Sequence, residues 1–164
     1  MRGSAVALWS VVGLSIAIAL LLAIFPLPLD WQWWRPEFVL LVVIYWVITI
    51  NTNISLLGLC LLGLFQDVLE SVPLGQHGLS VILIAYLCLL SYQRVRKFSL
   101  IKQCAWVFVL VGVAQLSDNW VQGMAGHELS GLNFLKPALA SALAWPFIKL
   151  WLDRLVYRYH LLVE

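Results

Sequence analysis

The sequence predicts an all-α fold, a polytopic transmembrane bundle of about six helices, and three observations carry that expectation. Hydrophobic residues make up 63% of the 164 positions, charged residues 11%, and the mean hydropathy is +0.95, whereas soluble domains are about half apolar and a quarter charged. The apolar residues come in long uninterrupted runs, unlike the alternating strands of a membrane barrel. Prolines, charges and polar clusters fall between these runs. Crossing a ~30 Å hydrocarbon core takes about 20 apolar residues, so about six crossings use most of the chain. Unpaired peptide groups cost several kcal/mol each in hydrocarbon, which makes the crossings helical.

Taken in order, the expected spans are 5–25, 36–51, 54–70, 78–93, 103–122 and 134–152, within one membrane domain covering 1–164. Arg2 ahead of the first apolar run imitates a secretory signal, but the run is too long and no A-x-A-like cleavage site follows, so it reads as a retained helix. That helix ends at Pro26 and Pro28, and the second begins at Pro36, a favourable first helical position. Trp31, Trp33 and Trp34 lie between them, where indole rings suit the headgroup layer. Gly58 and Gly63 in the third span are small enough to permit close helix approach, although five apart they make no GxxxG motif. After it, Pro73, Gly75 and Gly78 predict a tight turn. In the last span Pro146 removes one backbone hydrogen bond and predicts a kink, and Lys149 with Asp153, at i, i+4, predicts an ion pair.

Orientation follows from lysine and arginine, which cytoplasmic loops keep in excess. Six spans with both termini inside put Arg2, Arg94, Arg96, Lys97, Lys102, Lys149, Arg154 and Arg158 on the cytoplasmic side and only Arg35 and Lys136 outside. The cluster from Gln93 to Lys102 serves this topology, and it is also able to attract anionic lipid or a cytoplasmic partner. The formal net charge of +2 is too small and dispersed for a nucleic-acid surface. Cys60, Cys88 and Cys104 show no metal or redox spacing and read as small apolar residues.

Ionisable residues inside a span are functional candidates, because a charge near the bilayer centre costs at least ~2.5 kcal/mol. Gln115, Asp118, Asn119 and Gln122 recur at i, i+3, i+4 and i+7, on one face of the fifth helix. Asp118 is then either a contact for a ligand, proton or partner, or part of an interhelical hydrogen-bonded seam. Asp67 and Glu70, at i, i+3, are placed to face the same way and perturb each other. With His77, His127 and Glu128 they suggest an external metal site, but the spacing matches no compact zinc motif, and no metal or other cofactor is expected. No nucleophile, phosphate-binding loop or oxyanion device is recognisable, so the chain does not read as an enzyme.

The order of these features resembles the MreD family of rod shape-determining proteins. The resemblance is carried by RPEFVLLVVIYW at 35–46, GLFQDVLESVPLGQHGL at 63–79, AYLCLLSYQRVRKF at 85–98, the Asp118 helix, and AWPFIKLWLDRL at 144–155. It implies a fold like that of the substrate-binding membrane subunits of vitamin transporters and a place in the bacterial inner membrane. It also implies an MreC-like bitopic partner, and through it the MreB-type filament and the peptidoglycan polymerase and transpeptidase. Positions matching Arg35, Pro36, Asp67, Gly75 and Pro146 recur in the family; where glycine often follows the Asp67 position, this chain has Glu70-Ser71. The expected function is a noncatalytic scaffold of the elongation machinery that maintains rod shape. A small-molecule binding or transport subunit is the alternative, and homo-oligomerisation stays open.

Overall fold

A computed structural model describes residues 2–26, 28, 34–50, 54–126 and 135–158. They form six helices and, among the described residues, no strand: α1 (Arg2–Ile24), α2 (Phe38–Ile50), α3 (Leu56–Glu70), α4 (Gln76–Val95), α5 (Leu100–Met124) and α6 (Leu135–Arg158). The number matches the expectation, while α4, α5 and α6 run past the charges that marked their predicted ends. Backbone pairing continues through these turns because long basic side chains reach polar surroundings from a helix that is still apolar at its stem. Pro36 does not open α2. The Phe38 N–H donates to the Pro36 carbonyl at 2.9 Å and the Leu41 N–H to the Glu37 carbonyl at 2.9 Å, so Glu37 is the residue from which the helix starts.

The helices differ in how they meet the membrane. Val6–Ile24, Gln76–Val95 and Leu100–Met124 are long and apolar enough to cross it by themselves. With 13 residues, α2 rises only about 20 Å. It is apolar on every side, with eleven of its residues buried, as befits a helix enclosed by others. α1, α4 and α6 pack around it, and α3–α4, α4–α5 and α5–α6 are successive neighbours. Leu61, Leu90, Ile101, Leu116, Trp120 and Phe147 point outward, a larger apolar surface than water-soluble monomers expose.

Apart from the buried Trp106 Nε1–H, which has no hydrogen-bond partner, the buried side-chain polar groups among the described residues are matched. The Trp46 Nε1–H donates to Ser15 Oγ at 2.9 Å, and Ser15 donates onward to the Val12 carbonyl at 2.8 Å, tying α1 to α2. The Tyr45 and Trp46 rings meet edge to face at 5.2 Å.

The glycines behave unequally. A Cβ on Gly63 would lie 2.6 Å from Gly78 Cα and 2.7 Å from Gly78 N and His77 O, so α3 and α4 touch backbone to backbone there. Gly58 makes no such approach: its Cβ would meet only Ser55, whose Oγ accepts from the Gly58 N–H to cap α3. Gly78 also departs from its expected place in the turn, because it is helical and is the residue Gly63 packs on. α6 is continuous through Pro146.

Candidate functional site

α3 ends in a Schellman motif. The Val72 N–H donates to the Asp67 carbonyl at 3.1 Å and the Ser71 N–H to the Val68 carbonyl at 3.4 Å, the two bonds that close such an end. Ser71 stands at the left-handed position, φ 55°, where glycine is the easier residue. The chain then turns through Gly75, φ 97°, into α4.

Gly75 has no side chain with which to cap α4, and Asp67 supplies the acceptor from the neighbouring helix. Its Oδ2 accepts from the Gly75 N–H at 2.7 Å and its Oδ1 from the His77 N–H at 2.7 Å. The second contact is the one an N-cap side chain ordinarily makes, and a carboxylate there also suits the helix dipole. Asp67 has no exposed surface, so the Gly63–Gly78 contact one turn away sets the distance over which it works. His77 Nδ1 lies 2.9 Å from Asp67 Oδ1, and His77 Nε2 lies 3.9 Å from Glu70 Oε2. Glu70 is held in turn by Gln66, whose Nε2 donates to Oε1 at 2.8 Å. Asp67 and Glu70 therefore share an imidazole rather than acting on each other alone.

The expected stripe on α5 meets this end of the bundle. Asp118, buried at 5% exposure, accepts from the Ser80 hydroxyl, whose oxygen also lies 3.0 Å from Ser117 Oγ and 2.9 Å from the Gln76 carbonyl. Gln122 Nε2 donates to Gln76 Oε1 at 3.3 Å, and Gln115 Nε2 donates to Glu37 Oε1 at 2.8 Å. Asn119 lies half-buried beside them. The Glu37 N–H donates to Ser141 Oγ at 2.9 Å, bringing in α6, and Arg35 Nη2 donates to the Leu22 carbonyl at 2.9 Å, closing the last turn of α1.

Thus α5 is pinned to the start of α2 and to α4, α2 to α6, and α3 to α4. Glu37, Gln76, Ser80, Ser117 and Ser141 belong to this network although no sequence pattern singled them out. The Arg35-Pro36 pair just before an apolar run was a signal for Glu37, whereas lone serines in apolar helices carry none. His127, Glu128, Trp31 and Trp33 lie outside the described residues. Among the described residues no group of three or more His, Cys, Asp or Glu is arranged around a metal position. The Ser80 hydroxyl is engaged by a carboxylate and a second hydroxyl, and the His77 ring by Asp67 and Glu70. Chemically, the arrangement joins helices.

At the other end of the bundle, Lys149 Nζ meets Asp153 Oδ2 at 2.6 Å, the pair expected from their spacing, and the Tyr45 hydroxyl donates to Asp153 Oδ1 at 2.8 Å. Gln103 Nε2 donates to the Val95 and Phe98 carbonyls at 3.3 and 3.2 Å, and its Oε1 accepts from Trp145 Nε1 at 3.4 Å. These side chains border a cavity of about 250 Å³.

The family model for rod shape-determining protein MreD matches residues 4–155. The chain belongs to the MreD family. Rod shape-determining protein MreD of Haemophilus influenzae is 28% identical to it over 147 residues, covering 90% of this chain and 91% of that protein. No solved structure matches the chain. Both matches run through the Asp67–Gly75 turn and the α5 stripe, so the helix-joining network lies within the MreD portion of the chain, and membership places the chain among proteins that determine cell shape.

Proposed function

We propose that this MreD family member is a noncatalytic scaffold of the bacterial inner membrane, with both termini cytoplasmic. It binds an MreC-type bitopic partner and, through it, links the MreB-type filament to peptidoglycan polymerase and transpeptidase, so that wall synthesis follows the rod. The observation that carries the reading is how the expensive polar groups are used. Asp67, Glu37, Gln115 and Asp118 are all committed to neighbouring helices, which leaves a rigid, largely apolar body as the working surface. Helices associate in lipid through close packing and interhelical hydrogen bonds rather than through the hydrophobic effect. A cleft of about 260 Å³ between α1, α2 and α3, walled by Trp9, Trp46, Gly58 and Leu59, offers such a surface to apolar side chains of a partner helix.

The test is purification of the tagged full chain in gentle detergent with identification of co-purifying membrane proteins, together with cell imaging after depletion. Recovery of a bitopic MreC-like protein and rounding of the cells is expected. Rod-shaped cells that lack the chain and no such partner in the eluate would overturn the proposal.

A further inference from the structure

The cavity bordered by α2, the α4–α5 turn and α6 lies at the end of the bundle opposite the Asp67 turn, because α4 runs from one to the other over 20 residues, about 30 Å. Its lining combines two kinds of surface. Ile48, Val95, Trp145 and Val156 form apolar walls, while Arg96 and Lys149 bring positive charge to the mouth. Arg96 is exposed and has no ion pair among the described residues. Lys149 spends one donor on Asp153, and an ammonium group has three. The end of α4, the α4–α5 turn, the start of α5 and the last turns of α6 also carry Arg94, Lys97, Lys102 and Arg154, making this the basic end of the molecule.

A cation-rimmed cavity with apolar walls, opening where an apolar bundle meets its basic rim, matches one ligand chemistry: an anionic phosphate group attached to an apolar tail. We infer that this cavity holds the headgroup of an anionic phospholipid, with Arg96 and Lys149 contacting the phosphate and Asp153 setting the strength of the interaction by competing for Lys149. A diffuse basic surface attracts anionic membranes through all its charges alike, whereas a site acts through two of them. The inference is independent of the scaffold reading, since it concerns the opposite end from the helix-joining network and makes no use of a protein partner.

The full chain is reconstituted in nanodiscs of phosphatidylcholine alone or mixed with phosphatidylglycerol, and retained lipid is counted by native mass spectrometry after release into detergent. Retention of phosphatidylglycerol over phosphatidylcholine is expected, falling about fivefold in each of Arg96→Gln and Lys149→Gln and holding in Lys102→Gln, outside the cavity. Asp153→Asn keeps an acceptor for Tyr45 and releases Lys149, so it tightens retention, a direction that loss of structure does not produce. Equal losses in Lys102→Gln and Arg96→Gln, or equal retention of both lipids, would refute the site. Inorganic phosphate displacing the lipid at millimolar concentration would identify free phosphate as the ligand and refute the lipid assignment. Co-purification of an acidic protein segment that depends on Arg96, with no lipid retained, would overturn it in favour of a protein ligand.

Discussion

Replacing Gly63 by alanine adds one methyl group at the point where α3 and α4 touch. The new Cβ meets Gly78 Cα at 2.6 Å and Gly78 N and His77 O at 2.7 Å, all backbone atoms that no rotamer change can move aside. Relief to ordinary van der Waals contact, about 3.5 Å or more between carbons, requires the helices to separate by about 1 Å. Asp67 lies one turn further along α3, and its bonds to the Gly75 and His77 N–H groups, each 2.7 Å, would stretch past the ~3.2 Å limit of good geometry. Overpacking costs about 1–3 kcal/mol, and loss of hydrogen bonds to a buried carboxylate adds about 1.5–3 kcal/mol for each one broken. Some of this overlaps, so Gly63→Ala is expected to cost roughly 3–5 kcal/mol. Gly78→Ala is the comparison, because its Cβ meets the flexible Leu64 side chain at 3.3 Å rather than backbone, and it should cost about 1 kcal/mol. Thermal unfolding of the fluorescently tagged chain, followed by size-exclusion chromatography after heating, ranks the two. Wild-type stability in Gly63→Ala, or equal losses at both sites, would refute the argument that this contact sets the helix spacing.

Asp67→Asn keeps the shape but turns an amide NH2 toward one of the two backbone donors, with an expected cost of about 1–3 kcal/mol in the same thermal assay; an unchanged midpoint counts against the capping role. Ser71→Gly should stabilise by about 0.5–1 kcal/mol, because Ser71 holds a left-handed conformation that glycine accepts freely. Trp46→Phe removes the bond to Ser15 Oγ and should cost about 1 kcal/mol, read as easier proteolysis between α1 and α2. Asp118→Leu removes the carboxylate that ties α5 to Ser80 on α4 while raising apolarity, so assembly with partners should fall more than membrane insertion. Comparable losses in pull-down and membrane-extraction assays would contradict this.

The all-helical architecture was legible because lipid imposes it: apolar run lengths and breaks at Pro26, Pro36 and Pro73 mark helices whatever their neighbours. The special place of α2 was less legible. Phe38–Ile50 reads as one more crossing, and only its apolarity on every side hinted that the other helices enclose it. The α5 stripe was visible because a 3.6-residue period places Gln115, Asp118 and Gln122 together, but its partners were not. Ser80, Gln76 and Glu37 reach it across 38 residues or more, a separation that local pattern does not encode. Asp67 was noticed as a carboxylate paired at i, i+3 with Glu70, and its use as a cap for another helix depends on the Gly63–Gly78 approach, a distance that spacing alone does not reveal.

On the proposed reading, the buried polar network joins the helices into a scaffold and partners dock on the apolar exterior. The most direct measurement is co-purification of the bitopic partner with the wild-type chain and with Trp9→Ala and Gly58→Leu, which alter the α1–α2–α3 cleft without touching the network. The account predicts that both variants insert and melt as the wild type does while partner recovery falls severalfold and the cells lose their rod form. Full partner recovery with the cleft filled, in cells of normal shape, would contradict it.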